Sequence, residues 1–251
     1  MRTLQFLTTL LYFEGFAKRK KIYFPSNLIF FSLLLSSCQP KERPVLAFYY
    51  WKTFFSLSDK EKQTLQTNHI ATIYTRYFDV DLHPSNGLAY PVSPIYFGQS
   101  LKQFQIIPVV YIKNKVFQSG ITNTTDLALK TFDFINQINH KNQISITEIQ
   151  IDCDWTVATK GKYLDFLDKL KHISKKKLSA TIRLHQIKYF KKTKIPNVDY
   201  GVLMYYNMGE IASNTKNSIY DSEIAERYLT SLESYPLRLN VALPIFSWAI
   251  H

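Results

Sequence analysis

Residues 146–156 read ITEIQIDCDWT and join a strand-like run to two acids at its end. β-Branched residues dominate the first half of the run, and no helical period fits it. Asp152 and Asp154 are two positions apart, so they share one face of a strand while Cys153 points the other way. Carboxylates at the end of a buried strand are costly to bury unless they form ion pairs or take part in binding or catalysis. The stretch therefore predicts either a functional site or two acids that close a strand and cap the next helix.

The rest of the chain alternates predicted strands with predicted helices. Six further strands are predicted at Val45–Trp51, Ala71–Val80, Ile106–Ile112, Leu178–Leu184, Tyr200–Asn207 and Leu239–Phe246. Amphipathic helices are predicted at 58–68, from Asn123 onward, at 160–174 and at 221–234, and residues 83–99 are predicted to be a long loop. This alternation implies right-handed crossovers and a parallel sheet.

The number of strands distinguishes between two architectures. Seven alternating strands without a glycine-rich phosphate loop favour a (β/α)8 barrel over a doubly wound sheet. The last predicted strand lies just before His251, where the sequence ends. We therefore predict an α/β fold of the (β/α)8 TIM-barrel type over residues 45–251, truncated after strand seven.

The N-terminal region has the pattern of an export signal. A basic cluster, Lys18–Lys21, precedes the apolar run Leu28–Leu35, and Ser36-Ser37-Cys38 follows. This order predicts a secretory signal over residues 1–37, and the apolar run is too short to span a bilayer. Its end resembles the bacterial lipobox, in which the cysteine is acylated, so Cys38 is predicted to carry a lipid. An N-terminal helix with an incidental cysteine is the alternative.

The domain boundaries and localisation follow from this signal. Residues 1–17 lie upstream of the basic cluster and are interpreted as an over-extended start, and residues 38–44 as a lipidated cysteine with a polar tether. We expect the protein in the cell envelope, facing the periplasm or in the outer membrane, and attached to the membrane through its lipid.

Charge and cysteine content limit the partners. The formal net charge is +12, and removing residues 1–37 takes away five basic residues and one acid, which lowers it to +8. An exported lipoprotein has little access to nucleic acid, so acidic polysaccharide or anionic lipid head groups are the expected electrostatic partners. Cys153 then remains alone and is expected to be a small buried residue. Six histidines without ligand spacing predict no metal site, and no cofactor is expected.

Candidate site residues lie at the predicted carboxyl ends of the strands, where TIM barrels carry their chemistry. Aromatic rings beside acids suit a sugar, because apolar sugar faces stack on aromatics and carboxylates provide acid, base or charge stabilisation. The catalytic candidates are Asp79, Asp81, Asp152 and Asp154. The binding candidates are Trp51, Arg76, Trp155, Arg183, His185, Tyr206, Asn207 and Trp248.

Three of these strand ends resemble motifs of family 18 glycosidases, the chitinase-like barrels. Ile151–Trp155 is similar to the strand-four motif D-x-x-D-x-D-x-E. Met204–Asn207 is similar to the strand-six motif M-x-Y-D, and Ala242–Phe246 to the strand-seven motif G-L-P-x-Y. The matches fall in the family's order, and the resemblance covers roughly residues 45–250. The resemblance implies a carbohydrate partner, with Asp154 stabilising positive charge on the sugar and Tyr206 as its hydrogen-bonding partner.

The chain departs from the family at the position that matters most for cleavage. Thr156 occupies the place of the proton-donating glutamate and cannot act as a general acid. Ile149 replaces the first motif aspartate, and Asn207 replaces the strand-six aspartate. The chain thus also resembles glycosidase-like barrels of bacterial lipoproteins whose reaction is not established.

Three interpretations follow. The first is a hydrolase of polysaccharide whose acid is Asp79, Asp81 or Asp152, with Asp154 as its partner. The second is a barrel that binds a glycan without cleaving it, with Trp51, Trp155 and Trp248 as stacking platforms. The third is a scaffold in which the acids form buried ion pairs with Arg76 and Arg183.

Overall fold

The computed structural model describes residues 44–207 and 217–245 of the chain. The predicted signal, the over-extended start and Cys38 lie outside the described residues. No helix in the described ranges is long and apolar enough to cross a membrane.

A parallel sheet forms the centre of the fold. Its strands are β1 (Ala47–Tyr50), β3 (Thr72–Leu82), β6 (Gln105–Ile112), β7 (Glu148–Asp152), β8 (Lys177–Arg183), β9 (Tyr200–Met204) and β10 (Leu239–Ala242). They are hydrogen-bonded in the order in which they occur in the chain, each parallel to the next. Because successive strands are neighbours and parallel, every connection between them is a crossover.

Helices supply most of these crossovers. They are α1 (Asp59–Thr67), α2 (Asn114–Gln118), α3 (Thr124–Asn142), α4 (Lys160–Ser174), α5 (Leu184–Lys188), α6 (Phe190–Thr193) and α7 (Ser222–Glu233). The predicted capping box of α1 is present, since the Ser58 hydroxyl accepts from the Glu61 amide and the Glu61 carboxylate accepts from the Ser58 amide. Asn123 caps α3 through the amides of Thr125 and Asp126.

The main hydrophobic core lies between the sheet and the helices. On β7, Ile149 and Ile151 are fully buried and face this core. On α4, residues at helical spacing are buried against the same core: Tyr163, Phe166, Leu167 and Leu170. The buried residues thus recur every two positions on the strand and every 3.6 positions on the helix, and both sets pack into one apolar layer.

The sheet curls around a lumen that contains polar side chains. The hydroxyls of Tyr74 on β3 and Tyr200 on β9 are 2.8 Å apart, although three strands separate β3 from β9 in the sheet. Tyr49 on β1 donates to Gln150 Oε1 on β7 at 2.7 Å. Bonds between such distant strands require a curled sheet, and the fold is therefore the predicted α/β type with the curl of a TIM barrel.

The long predicted loop after the second parallel strand contains regular structure. β3 extends to Leu82, two residues beyond the predicted end, and pairs antiparallel with β4 (Ala89–Val92). A separate parallel pair joins β2 (Phe54–Phe55) to β5 (Tyr96–Phe97). Prolines and glycines in 83–99 indicated turns, but they did not reveal the short pairs between those turns.

An irregularity interrupts β3. Its register against β6 shifts between Arg76 and Phe78, which marks a β-bulge at Tyr77. Tyr77 and Phe78 consequently both face the outer core. Tyr77 donates to Asn139 of α3, and Phe78 packs edge-on against Phe134 of the same helix. Each side chain after the bulge therefore faces the side of the sheet opposite to the one that simple alternation along β3 predicts.

Candidate functional site

The lumen face of β7 positions the central acid. Glu148, Gln150 and Asp152 alternate on this face, as the strand period requires. Each bonds to another lumen-facing residue: Ser179 donates to Glu148 at 2.8 Å, Tyr49 donates to Gln150, and Thr181 donates to Asp152 at 2.6 Å. Asp152 is the last of these, at the carboxyl end of the sheet, which we call the mouth.

Arg183 joins the two acids of the opening stretch. Its Nε donates to Asp154 Oδ1 at 2.5 Å, and its Nη2 lies 3.6 Å from Asp152 Oδ1. Asp152 is buried, whereas the Asp154 side chain keeps 49% of its surface exposed. The guanidinium therefore links a buried carboxylate to one that solvent or a ligand can reach.

Burial and neighbouring charges shift the pKa values of two side chains near Arg183. Burial raises the pKa of Asp152, while Arg183 and the Thr181 hydroxyl act in the opposite direction. Burial also lowers the pKa of His185, which keeps this imidazole neutral at pH 7 although Asp154 is near it. His185 lies in the first turn of α5, on an exposed face.

Aromatic rings lie around the mouth. Tyr49 and Trp51 on the β1 side are stacked, with their ring centroids 5.3 Å apart and the planes 7° from parallel. Trp51 remains 42% exposed, so its ring is accessible. Tyr111 and Tyr206 lie near Asp152 and Asp154, since both carboxylates contribute, after burial, to raising the pKa of each phenol. The mouth thus combines an accessible indole, two phenols and an ion-paired acid.

Two predicted acids on β3 are held in separate ion pairs. Asp79 receives two bonds from Arg76, at 2.7 Å from Nε and 2.6 Å from Nη2. Asp81 lies 2.6 Å from the ammonium groups of both Lys113 and Lys115. Burial alone would raise the pKa of Asp81, but the two lysines lower it to about 2. An acid with that pKa is ionised at neutral pH and cannot donate a proton.

Trp155 belongs to the core rather than to the mouth. Its ring is fully buried and stacks on Tyr163 at 4.7 Å, and its Nε1 donates to the Thr193 carbonyl at 3.2 Å. A ring in this position offers no face to a ligand, so we leave Trp155 out of the candidate site. Cys153, on the opposite face of the stretch from Asp152, is buried as expected.

Thr156 starts the turn into α4. Its backbone N–H donates to Thr159 Oγ1 at 2.9 Å, and the Thr159 hydroxyl donates to Asn114 at 2.7 Å. The residue is exposed and presents a hydroxyl where the resemblance expects a carboxyl. Nothing in this turn replaces the missing acid.

The structure thus brings together Trp51, Asp152, Asp154, Arg183 and Tyr206 of the predicted site, with His185 at its edge. Asn207 is exposed, with a positive φ of 54°. Trp248 lies outside the described residues. Sequence reasoning missed Thr181 and Tyr49, although Thr181 alternates with Arg183 on β8. Within the described ranges no three His, Cys, Asp or Glu side chains are grouped to hold a metal ion.

Comparisons with known proteins place the fold but not the family. No protein-family model matches the chain, and no curated protein matches it. A GH18 chitinase from Cycas revoluta, solved in complex with (GlcNAc)4, is 11% identical, with 78% of this chain and 67% of that chain covered and a TM-score of 0.50.

Two further solved structures are similar. A chitinase from Chromobacterium violaceum is 10% identical over 79% of this chain and 68% of its own, with a TM-score of 0.45. A chitinase-like agglutinin from Robinia pseudoacacia is 12% identical over 78% and 68%, with a TM-score of 0.42. The likeness to the Cycas revoluta protein confirms a GH18-like barrel fold, and at this identity it shows the fold alone.

Proposed function

We propose that the mouth binds a glycan and does not cleave it by the proton-donor route of family 18. The observation that carries the proposal is the state of the acids. Asp79, Asp81 and Asp154 each form an ion pair, and the proton-donor position is Thr156. Ion-paired carboxylates are good hydrogen-bond acceptors for sugar hydroxyls but poor proton donors.

The rings of the mouth support the same function. Trp51 is exposed and held in place by its stacking on Tyr49, so little conformational entropy is lost when a sugar covers it. Asp154 and Arg183 offer an acceptor and a donor at the same carboxyl end of the sheet. The GH18-like fold, with (GlcNAc)4 bound in the Cycas revoluta chitinase, makes that neutral oligosaccharide the first ligand to test.

One observation favours a second candidate function, hydrolysis with Asp152 as the acid. Burial raises the pKa of Asp152, which is what a general acid needs, and Asp154 stands two residues away. Against it, Asp152 is 6% exposed and accepts from Thr181, so a glycosidic oxygen would have to displace these contacts. Binding without cleavage therefore remains the function that we propose.

Replacing Trp51 with alanine is expected to lower affinity for (GlcNAc)4 about tenfold or more, because a sugar–aromatic stacking contact is lost. Stability should change little, since the ring is partly exposed. Isothermal titration calorimetry gives the affinity and urea denaturation gives the stability. Leu88→Ala, which removes an exposed apolar side chain elsewhere, is the control and should leave affinity unchanged.

Turnover decides between the two candidates. Prolonged incubation of the wild type with (GlcNAc)4 should release no new reducing ends. If the wild type releases reducing ends and Asp152→Asn or Asp154→Asn does not, the function is hydrolysis rather than binding alone. Binding that is absent from the wild type for every glycan tried would leave the scaffold interpretation.

We also propose that the protein is exported and attached to a membrane through Cys38, in the cell envelope. The basic cluster, apolar run and Ser-Ser-Cys sequence support this proposal. The polar residues 39–44 would then tether the barrel, which starts at Val45, to the membrane surface.

Labelled palmitate should be incorporated into the wild type and not into Cys38→Ser, because the thiol is the acylated group. The measurement is label in the purified band after expression in a bacterium with the lipoprotein machinery. Cys153→Ser is the matched control and should be labelled like the wild type, since Cys153 is buried in the folded barrel. Equal labelling of Cys38→Ser would contradict the anchor.

A further inference from the structure

The segment that follows β8 is strongly basic. Between residues 183 and 198 the sequence contains Arg183, Lys188, Lys191, Lys192 and Lys194 and no aspartate or glutamate. The four lysines, here called the basic rim, are exposed. None of them forms an ion pair with a carboxylate in residues 44–207 or 217–245. The rim therefore carries uncompensated positive charge.

The basic rim adjoins the mouth. Arg183 precedes α5 directly, and His185 in its first turn is near enough to Asp154 for the carboxylate to affect its pKa. Lys188 is three residues after His185, on the same exposed side of α5. With about 1.5 Å of rise per residue, Lys188 starts within about 10 Å of the Arg183 backbone. A ligand in the mouth that extends over α5 would meet these ammonium groups.

Contacts fix the side chain of Lys188 and the backbone of Lys192. Lys188 Nζ lies 5.6 Å from the ring centroid of Tyr189 and 5.7 Å from that of Tyr228 on α7. The Lys192 carbonyl accepts from Lys160 Nζ at 2.7 Å, which brings another ammonium group to the same place. The segment thus carries the Lys188 ammonium group beside the half-exposed ring of Tyr189, and the Lys160 ammonium group on the backbone of α6.

A neutral chitin-type oligosaccharide has no group that needs such a cluster. Carboxylate, sulfate or phosphate groups on a sugar chain do, because exposed ammonium groups attract anions and form charge-assisted hydrogen bonds with them. Exposed charges act over about 8 Å at physiological ionic strength, so the attraction reaches a chain that leaves the mouth on this side.

We propose that the basic rim selects an anionic glycan, one whose sugars bear carboxylate, sulfate or phosphate groups, as the ligand of the mouth. The inference rests on the proposed glycan-binding function and adds the chemical class of the ligand. In this arrangement one sugar stacks on Trp51 in the mouth, and the anionic groups of the following sugars bind Lys188 and Lys192.

Tetragalacturonate and (GlcNAc)4 provide a matched pair of probes, one anionic and one neutral. The wild type should bind tetragalacturonate at least about tenfold more tightly at low salt, and the difference should shrink as salt rises from 20 mM to about 500 mM. Lys188→Gln/Lys192→Gln should lose that preference and keep its affinity for (GlcNAc)4. Calorimetry measures both affinities, and thermal unfolding checks that the variant is folded.

The control removes the same charge from the other end of the barrel. Lys176→Gln/Lys177→Gln acts at the start of β8, opposite the mouth, and should leave the preference unchanged. An equal loss of the preference in both variants would contradict a specific role for the basic rim. It would show that the net charge of the protein alone causes the preference. Binding of (GlcNAc)4 without any preference for tetragalacturonate would overturn this inference and keep the proposed function, whereas binding of neither would overturn both. Lysine-dependent binding to phosphatidylglycerol vesicles without tetragalacturonate binding would reassign the rim to a membrane surface.

Discussion

Arg183→Met is expected to lower the free energy of unfolding by about 3 kcal/mol at pH 7, because it leaves the buried Asp152 carboxylate without a cation. In the wild type the guanidinium lies 3.6 Å from Asp152 and 2.5 Å from Asp154. Methionine fills a similar volume, so the loss of charge rather than a cavity dominates. Glycan binding should disappear as well, since the mouth loses its main donor. Urea denaturation and calorimetry measure the two effects.

The size of this loss depends on pH in a defined direction. Burial raises the pKa of Asp152 above its value in the unfolded chain, so the folded state binds the proton more tightly. The cost of the unpaired carboxylate is therefore present above the folded-state pKa and is relieved as pH falls through it. The difference in stability between Arg183→Met and the wild type should be smaller at pH 4 than at pH 7.

Asp152→Asn provides the matched control for this mechanism. In the Arg183→Met background it removes the uncompensated charge and keeps the Thr181 bond, and it should restore most of the lost stability. Asp154→Asn in the same background should restore little, since Asp154 is half-exposed. A double variant with Asp152→Asn that is no more stable than Arg183→Met alone would contradict the role given to the buried pair.

Trp155→Ala is expected to destabilise the fold by about 4 kcal/mol, through the cavity that replaces a fully buried indole. The change also removes the stacking on Tyr163 and the bond from Nε1 to the Thr193 carbonyl. Urea denaturation measures the loss, and native-state hydrogen exchange should show reduced protection first in α4 and α6, which this ring joins.

Comparison with Trp51→Ala separates the two tryptophans. A variant of Trp155 that kept full stability and lost only glycan affinity would show that this ring is a ligand platform, contrary to its burial. The expected result is the reverse, with affinity per folded molecule retained in Trp155→Ala and lost in Trp51→Ala. Trp155→Phe, which keeps an aromatic ring against Tyr163, should lose less stability than alanine.

The barrel could be predicted from the sequence because the local hydrophobic and capping patterns agree with the fold in most of the chain. The alternation of Glu148, Gln150 and Asp152 with isoleucines, the helical spacing on α4 and the Ser58 capping box each predicted what is present. The sequence also placed Arg183 and both acids of the opening stretch at one end of the sheet, because the carboxyl ends of parallel strands meet there.

Side-chain facing and burial were less predictable. Trp155 was predicted to be a stacking platform from its place beside Asp154, but whether a ring after a strand turns inward depends on α4 and α6, which pack over it. The burial of the ring goes with its stacking on Tyr163 of α4, a contact that the sequence did not indicate. Arg183 was predicted as a binding residue, and the pairing with both acids was one of three interpretations that the sequence left open.

The bulge at Tyr77 has a consequence for how this chain tolerates changes in length. With the extra residue, Arg76 and Asp79 reach the same side of β3 and form their ion pair, although an odd spacing normally separates them. Deleting the extra residue, Tyr77, would restore simple alternation and would leave Phe78 and Val80 on the core side and Asp79 and Asp81 on the lumen side. The facing of β3 should therefore survive the loss of Tyr77, at the cost of the bond to Asn139, whereas a strand that kept Tyr77 without the bulge would turn Asp79 and Asp81 toward the core.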